Sequence, residues 1–271
     1  MNGSKHSFGW VPDLPDQRDF MYAAPTPVVA NIPASADLRS QCPPVYDQGQ
    51  LGSCTANAIA GAFQFDEIKQ KEPSVMPSRL FIYYGERAIE GTVGTDSGAQ
   101  IRDGIKVIAK NGVCPETEWP YDIQKFAEKP PAKCFKDAKK YHAVTYQRLI
   151  QDLNTMKGCL AEGYPFVFGI TVYSSFESPQ VAQTGMVPMP TTQEQILGGH
   201  AILAVGYDDS QRVFIFRNSW GTSWAKAGYG FIPYAYLTDT NLASDFWTIR
   251  AVTDAGAAKA KAQAGAAQTS A

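Results

Sequence analysis

The chain has 271 residues, 44% of them hydrophobic, and a net charge of −2 from 24 basic and 26 acidic side chains. That length supports one large domain or two lobes. The balanced charge, with no long basic run, argues against nucleic acid or an anionic membrane as the main partner, and no apolar stretch approaches the ~20 residues of a bilayer span.

In chain order, residues 1 to 33 are rich in proline and charge, with Val11-Pro12-Asp13-Leu14-Pro15-Asp16 and Pro25-Thr26-Pro27. They read as an extended arm without a core of its own. The run Met1 to His6 is polar and has no secretory signal behind it, so cytoplasm is the expected location, with secretion by another route as the alternative. From Ser53 the pattern turns helical, with Ile59, Phe63 and Ile68 near one-turn spacing. Residues 78–90 and 100–110 form further expected helices, the second stopped by Asn111-Gly112.

The second half changes character. Residues 164–173, 200–207, 212–217, 228–234 and 245–252 are rich in β-branched and aromatic residues, with glycine and aspartate between them. A helical lobe over 34–145 followed by a β-rich lobe over 146–252 is an α+β arrangement, with a natural cleft between the two. The Ala-rich stretch 253–271 reads as a low-complexity tail.

The most informative segment is Asp47-Gln48-Gly49-Gln50-Leu51-Gly52-Ser53-Cys54. A cysteine attacks as thiolate, from an ordinary pKa of about 8.5. Ser53 is positioned as a helix N-cap, which would place Cys54 in the first turn, where the helix dipole favours negative charge. Most cysteines are simply small buried hydrophobes, but the surrounding glycines suit a tight backbone entry. Gln48, six residues earlier, has a side-chain amide that could join the Cys54 backbone N–H in stabilising an oxyanion. Alone, a glutamine in a glycine turn is ordinarily a solvated loop residue.

Only three histidines are available as partner: His6, His142 and His200. His200 follows Gly198-Gly199 at the head of an apolar strand. Asn218 ends a later strand, before Ser219-Trp220-Gly221. An Asn amide oxygen can accept from an imidazole and fix its tautomer, and Trp220 could shield that bond from water. His6 lies in the arm and His142 among lysines, without such neighbours. The five cysteines contain no C-x-x-C pair, which argues against a zinc knuckle or a thioredoxin-like motif. Free buried thiols are the default for Cys42, Cys114, Cys134 and Cys159, though these four also permit two disulfides. No metal or organic cofactor is implied.

The runs Asp47 to Cys54, Asp96-Ser97-Gly98, Trp119-Pro120-Tyr121, Gly199-His200-Ala201 and Asn218-Ser219-Trp220-Gly221 through Gly228-Tyr229-Gly230 occur in the order found in papain/cathepsin cysteine proteases. The chain resembles that family over roughly four-fifths of its length, and within it the short bacterial members of the xylellain kind. The resemblance implies a papain-like two-lobed fold with the active site in the cleft. It implies Cys54 as nucleophile, His200 as acid/base, Asn218 as orienter and Gln48 as oxyanion donor. It further implies that Gly98 pairs with substrate backbone, that Trp220 borders the leaving-group side, and that Ser97, Ala99 and Ala201 shape the substrate site. In such proteases the histidine and asparagine follow the cysteine by ~130–150 residues. Here His200 follows by 146 and Asn218 by a slightly longer 164, consistent with a modest loop insertion.

Three positions depart from the family pattern. Leu51 stands where a cysteine would make the usual helical-lobe disulfide. Thr55 replaces the aromatic after the nucleophile, and Ala225 replaces a glycine after Trp224. The arm is also short for a family pro-region. The reading is an endopeptidase acting on protein or peptide substrates through a thioester. The arm, through Phe8 to Pro12, is expected to lie across the cleft and restrain activity as an intramolecular inhibitor, against simple disorder as the alternative. A thiol-dependent acyl transferase or ligase on the same fold stays open, as does a silent peptide-binding scaffold.

Overall fold

The computed structural model describes residues 6–254. The chain opens with an extended segment and a short helix α1 (Thr26–Ala30), then a short strand β1 (Ser35–Asp37). Three longer helices follow: α2 (Cys54–Gln70), α3 (Arg79–Glu90) and α4 (Ile101–Lys110). These match the helical segments read from the sequence. Helix α2 is buried on nearly every side, including Asp66 and Glu67, and is the central helix of the molecule. Ser53 precedes it but makes no side-chain cap; its Oγ instead meets Tyr121 Oη at 2.5 Å and Asn57 Nδ2 at 3.1 Å. The expected cap is therefore replaced by a bond to the Trp119-Pro120-Tyr121 segment.

After α5 (Ala132–Ala138) come β2 (Tyr141–Arg148), α6 (Leu153–Ala161), β3 (Phe166–Tyr173), α7 (Pro179–Thr184), β4 (Ile196–Asp208), β5 (Val213–Arg217), β6 (Tyr229–Pro233), α8 (Tyr234–Thr238) and β7 (Ala243–Asp254). The strands form one antiparallel sheet in the order β2-β7-β3-β4-β5-β6, with β1 pairing β4. The five β-rich segments of the sequence correspond to β3 through β7. Strand β2 lacks a clear alternating pattern and begins before residue 145, yet it pairs with β7 along its length. Strand β7 runs two residues into the stretch read as tail, and residues 255–271 lie outside the described residues.

A continuous apolar core joins α2, α3 and α4 to β3, β4 and β7, with Ile59, Phe63, Tyr83, Ile108, Phe166, Ile170 and Leu203 essentially inaccessible. Packing the cysteine end of α2 against β4, which carries His200, follows from burying both apolar surfaces at once.

Candidate active site

The turn before α2 is fixed by carboxylates. Asp47 Oδ1 accepts the Gly49 N–H at 2.9 Å, and Gly49 sits at φ +59°, a conformation glycine adopts without strain. Asp96 accepts the Gly52 N–H at 3.0 and 3.1 Å, and Tyr83 Oη donates to Asp96 at 2.5 Å. Cys54 then starts the helix with no exposed surface.

His200 lies on β4 opposite Ile170 of β3. One ring nitrogen, Nε2, is 2.9 Å from Asn218 Oδ1, which fixes it as the N–H donor, and Nδ1 has no hydrogen-bond partner. Trp220 stacks on the imidazole, ring centroids 4.9 Å apart and planes 25° apart, covering the His–Asn bond as expected. The backbones of Ala201, the residue after His200, and of Gly9 and Thr55 act on the Cys54 sulfur against the effect of its burial. Thus Cys54, His200, Asn218 and Trp220 are brought to one place from α2, β4 and the segment after β5.

Gln48 completes the group. Its Oε1 accepts from Ser219 Oγ at 2.6 Å, and its Nε2 donates to Leu51 O at 2.9 Å and to Ser7 O at 3.2 Å. Its backbone N–H is held by Ser219 O at 2.8 Å. Ser219 therefore fixes which way the amide faces, a role the sequence reading did not assign it.

The arm fills the cleft. His6 stacks on Trp220 at 3.8 Å with planes 3° apart, and Phe8 meets the His200 ring edge-on at 6.0 Å. Ala99 donates its N–H to Gly9 O at 2.7 Å and accepts from Val11 N at 3.0 Å; Trp10 N donates to Gly199 O at 2.9 Å. The ladder to the arm runs through Ala99 rather than Gly98. At φ +73° the Gly98 N–H is turned to Tyr83 Oη at 3.2 Å, and a Cβ on Gly98 would stand 2.1 Å from Gly9 O. Gly98 thus gives room for the backbone that Ala99 binds. Ser97 is exposed, with its Oγ bonded to the neighbouring Gly98 O at 3.3 Å; Ala99, bonded to the arm, and Ala201 are fully buried.

Under this cover the two reactive groups are electrically quiet. Burial pushes the Cys54 thiol up to about 12 and drives His200 down to about 4, the latter against the opposing bond to Asn218. Both are neutral near pH 7. His142 sits apart, its Nε2 donating to Lys139 O at 2.7 Å. All five cysteines are free. Among the described residues one trio, Cys114, Glu118 and Cys134, brings potential metal-ligating atoms within 4.8 Å of one another.

The papain family cysteine protease model matches residues 32–245, and the chain belongs to that family. It is 45% identical over 273 aligned residues to a peptidase C1-like protein of Acanthamoeba polyphaga mimivirus, covering 92% of this chain and 88% of the other. The crystal structure of xylellain, a cysteine protease from Xylella fastidiosa, superposes with a TM-score of 0.86 at 48% identity, covering 93% of this chain and 98% of that one. A digestive procathepsin L 3 from Tenebrio molitor shares the fold at 21% identity and a TM-score of 0.65, covering 84% and 72%. The chain is a cysteine-type peptidase with a papain-like α+β fold.

Proposed function

We propose that the protein is an endopeptidase held in check by its own N-terminal arm. Cys54 is the nucleophile, His200 the acid and base, Asn218 the orienter of His200, and Gln48 an oxyanion donor. Once the arm is displaced, water reaches the pair and the burial that keeps both neutral is relieved. A proton then passes from sulfur to His200 Nδ1, the ring nitrogen left without a partner. The thiolate attacks a peptide carbonyl, forming the C–S bond, and the oxyanion takes the place of Ser7 O at Gln48 Nε2. His200 returns the proton to the departing amine as the C–N bond breaks. Water, deprotonated by His200, opens the thioester to a carboxylic acid and restores the thiol.

One observation carries the restraint: the arm's Ser7 carbonyl occupies the Gln48 amide while Gly9 and Trp10 take the backbone partners at Ala99 and Gly199. Substrates of an endopeptidase need those same groups. The test compares peptide hydrolysis by the full chain and by a chain lacking residues 1–33, with Cys54→Ala in each. Cys54-dependent hydrolysis that rises on removal of the arm is the expected result. Equal rates would overturn the restraint, and hydrolysis that survives Cys54→Ala would overturn the nucleophile.

A further inference from the structure

A second group of reactive side chains gathers on the helical lobe. Cys114 lies in the segment after α4, Glu118 follows it in the next turn, and Cys134 sits in the first turn of α5. The two sulfurs and a carboxylate oxygen of Glu118 all lie within 4.8 Å of one another. Both thiols are buried, and Cys134 Sγ donates to the backbone Glu118 O at 3.7 Å. No short cysteine spacing announces this group, because the fold brings Cys134 back to Cys114 only after the Trp119-Pro120-Tyr121 segment and the start of α5.

The Glu118 carboxylate is only half engaged. Its Oε1 accepts from Lys133 Nζ at 2.7 Å, while Oε2 is buried and has no hydrogen-bond partner. A buried oxygen in that condition costs stability unless a donor or a cation meets it. Burial first, and then the neighbouring Cys134 and Glu118, hold the Cys114 thiol in its protonated form. A divalent cation reverses this preference, since a coordinating thiol loses its proton. With two thiolates, one carboxylate and Lys133 beside it, such an ion leaves the site without net charge.

The donor set suits zinc, which accepts sulfur and carboxylate oxygen together in tetrahedral sites. Two sulfurs on one zinc stand at most about 4.6 Å apart, twice the ~2.3 Å bond. Atoms already gathered within 4.8 Å therefore need little movement to share an ion. The site also has an entrance: the Lys133 side chain beside it is 70% exposed, so an ion can enter and water can fill a fourth position.

We propose that Cys114, Cys134 and Glu118 form a zinc site with water as the fourth ligand. Loading forms two Zn–S bonds and breaks two S–H bonds; both protons pass to solvent, and no electron is transferred. The ion ties α5 to the stretch that carries Tyr121 to the catalytic turn, where Tyr121 Oη donates to Gln48 O at 3.0 Å. Ser78 fastens the same stretch from α3, through Oγ to Trp119 O at 2.7 Å and through its N–H to Cys114 O at 2.8 Å. With Leu51 in place of the cysteine of the usual helical-lobe disulfide, the zinc clip secures that lobe by other means. The site stands apart from the arm and from the peptidase reading.

The test uses the full chain with Cys54→Ala, which removes the nucleophilic thiol as a competing ligand. The chain is freed of metal, kept reduced by a non-thiol reductant, and titrated with zinc against a chromophoric chelator. One zinc per chain, bound at about micromolar concentration or tighter, is expected. Cys134→Ser and Glu118→Gln should each weaken binding by at least ~10-fold, while Cys42→Ser, outside the cluster, leaves it unchanged. Should Cys134→Ser not fold, the partly exposed Glu118→Gln decides. Zinc should also raise the melting temperature of the parent more than that of either variant. Cobalt in place of zinc gives a second reading, a sulfur-to-metal charge-transfer band in the parent chain. Absence of zinc binding by the reduced parent, full binding retained by either folded variant, or a cobalt complex without the sulfur band overturns the proposal.

Discussion

Ser219 holds Gln48 by both ends of one residue: its hydroxyl donates to the side-chain Oε1 at 2.6 Å and its carbonyl accepts the backbone N–H at 2.8 Å. The amide is thereby prevented from flipping, and Nε2 must face the cleft. Gln48→Ala, measured in the chain without its arm, is expected to lower kcat by ~10²–10³. Ser219→Ala leaves the donor present but free to rotate, and a loss of about 10-fold is expected from one buried bond. A Ser219→Ala enzyme as impaired as Gln48→Ala would show that the hydroxyl does more than orient.

Gly169 is the floor on which the arm rests. A methyl group there collides with the indole, since the added Cβ would stand 1.9 Å from Trp10 Cε2. Overpacking of this kind costs about 1–3 kcal/mol, here charged to the covered state. Gly169→Ala in the full chain should therefore speed alkylation of Cys54 by roughly 5- to 150-fold. Alkylation at the parent rate would show that Trp10 does not hold the arm down.

The titration of His200 predicts acid lability of the covered chain. Its pKa is lowered by burial from the ordinary 6.5 to about 4, so the folded chain refuses a proton that the unfolded chain accepts. The stability that neutral His200 contributes is complete above pH 6.5 and is lost as the pH falls from 6.5 to 4. Between pH 7 and 4.5 the loss from this group is about 2 kcal/mol. Denaturant unfolding at the two pH values should show the parent losing about that much more than His200→Gln. An equal loss in both would remove His200 as the cause.

Cys54 sets the opposite limit. Its thiol is raised by burial from 9.0 to about 12, so the unfolded chain gives up a proton first as pH rises. Stability from the neutral thiol is present below pH 9 and lost between 9 and 12. Cys54→Ser is expected to flatten the alkaline limb of the unfolding profile; a limb of unchanged steepness would assign it to other groups.

Ala225 occupies a left-handed conformation, φ +49°, at the position where the family has glycine. An L side chain there carries about 1 kcal/mol of strain that glycine avoids. Ala225→Gly should stabilise the chain by somewhat less than that, because the methyl group also packs against the core. A destabilised variant would show that this packing outweighs the backbone strain.

What the sequence determined by itself was local chemistry and its order. Gln48 through Cys54, the Gly198-Gly199-His200 entry to an apolar strand, and Asn218 before Trp220 were legible because each sits at a helix start or strand end with its own residue signature. The three long helices and five strands were legible because their burial imposes a pattern along the chain. Strand β2 was not, since its exposed and half-buried positions follow no clean alternation and only β7 makes it a strand. The fixing of Gln48 by Ser219 joins residues 171 apart, and Trp10 meets Asp245 across 235. No local preference encodes such contacts. The sequence offered an arm across the cleft and a disordered arm as alternatives; the folded chain decided between them, burying Gly9 and Trp10 in the cleft because glycines at 98, 169 and 199 leave the space they fill.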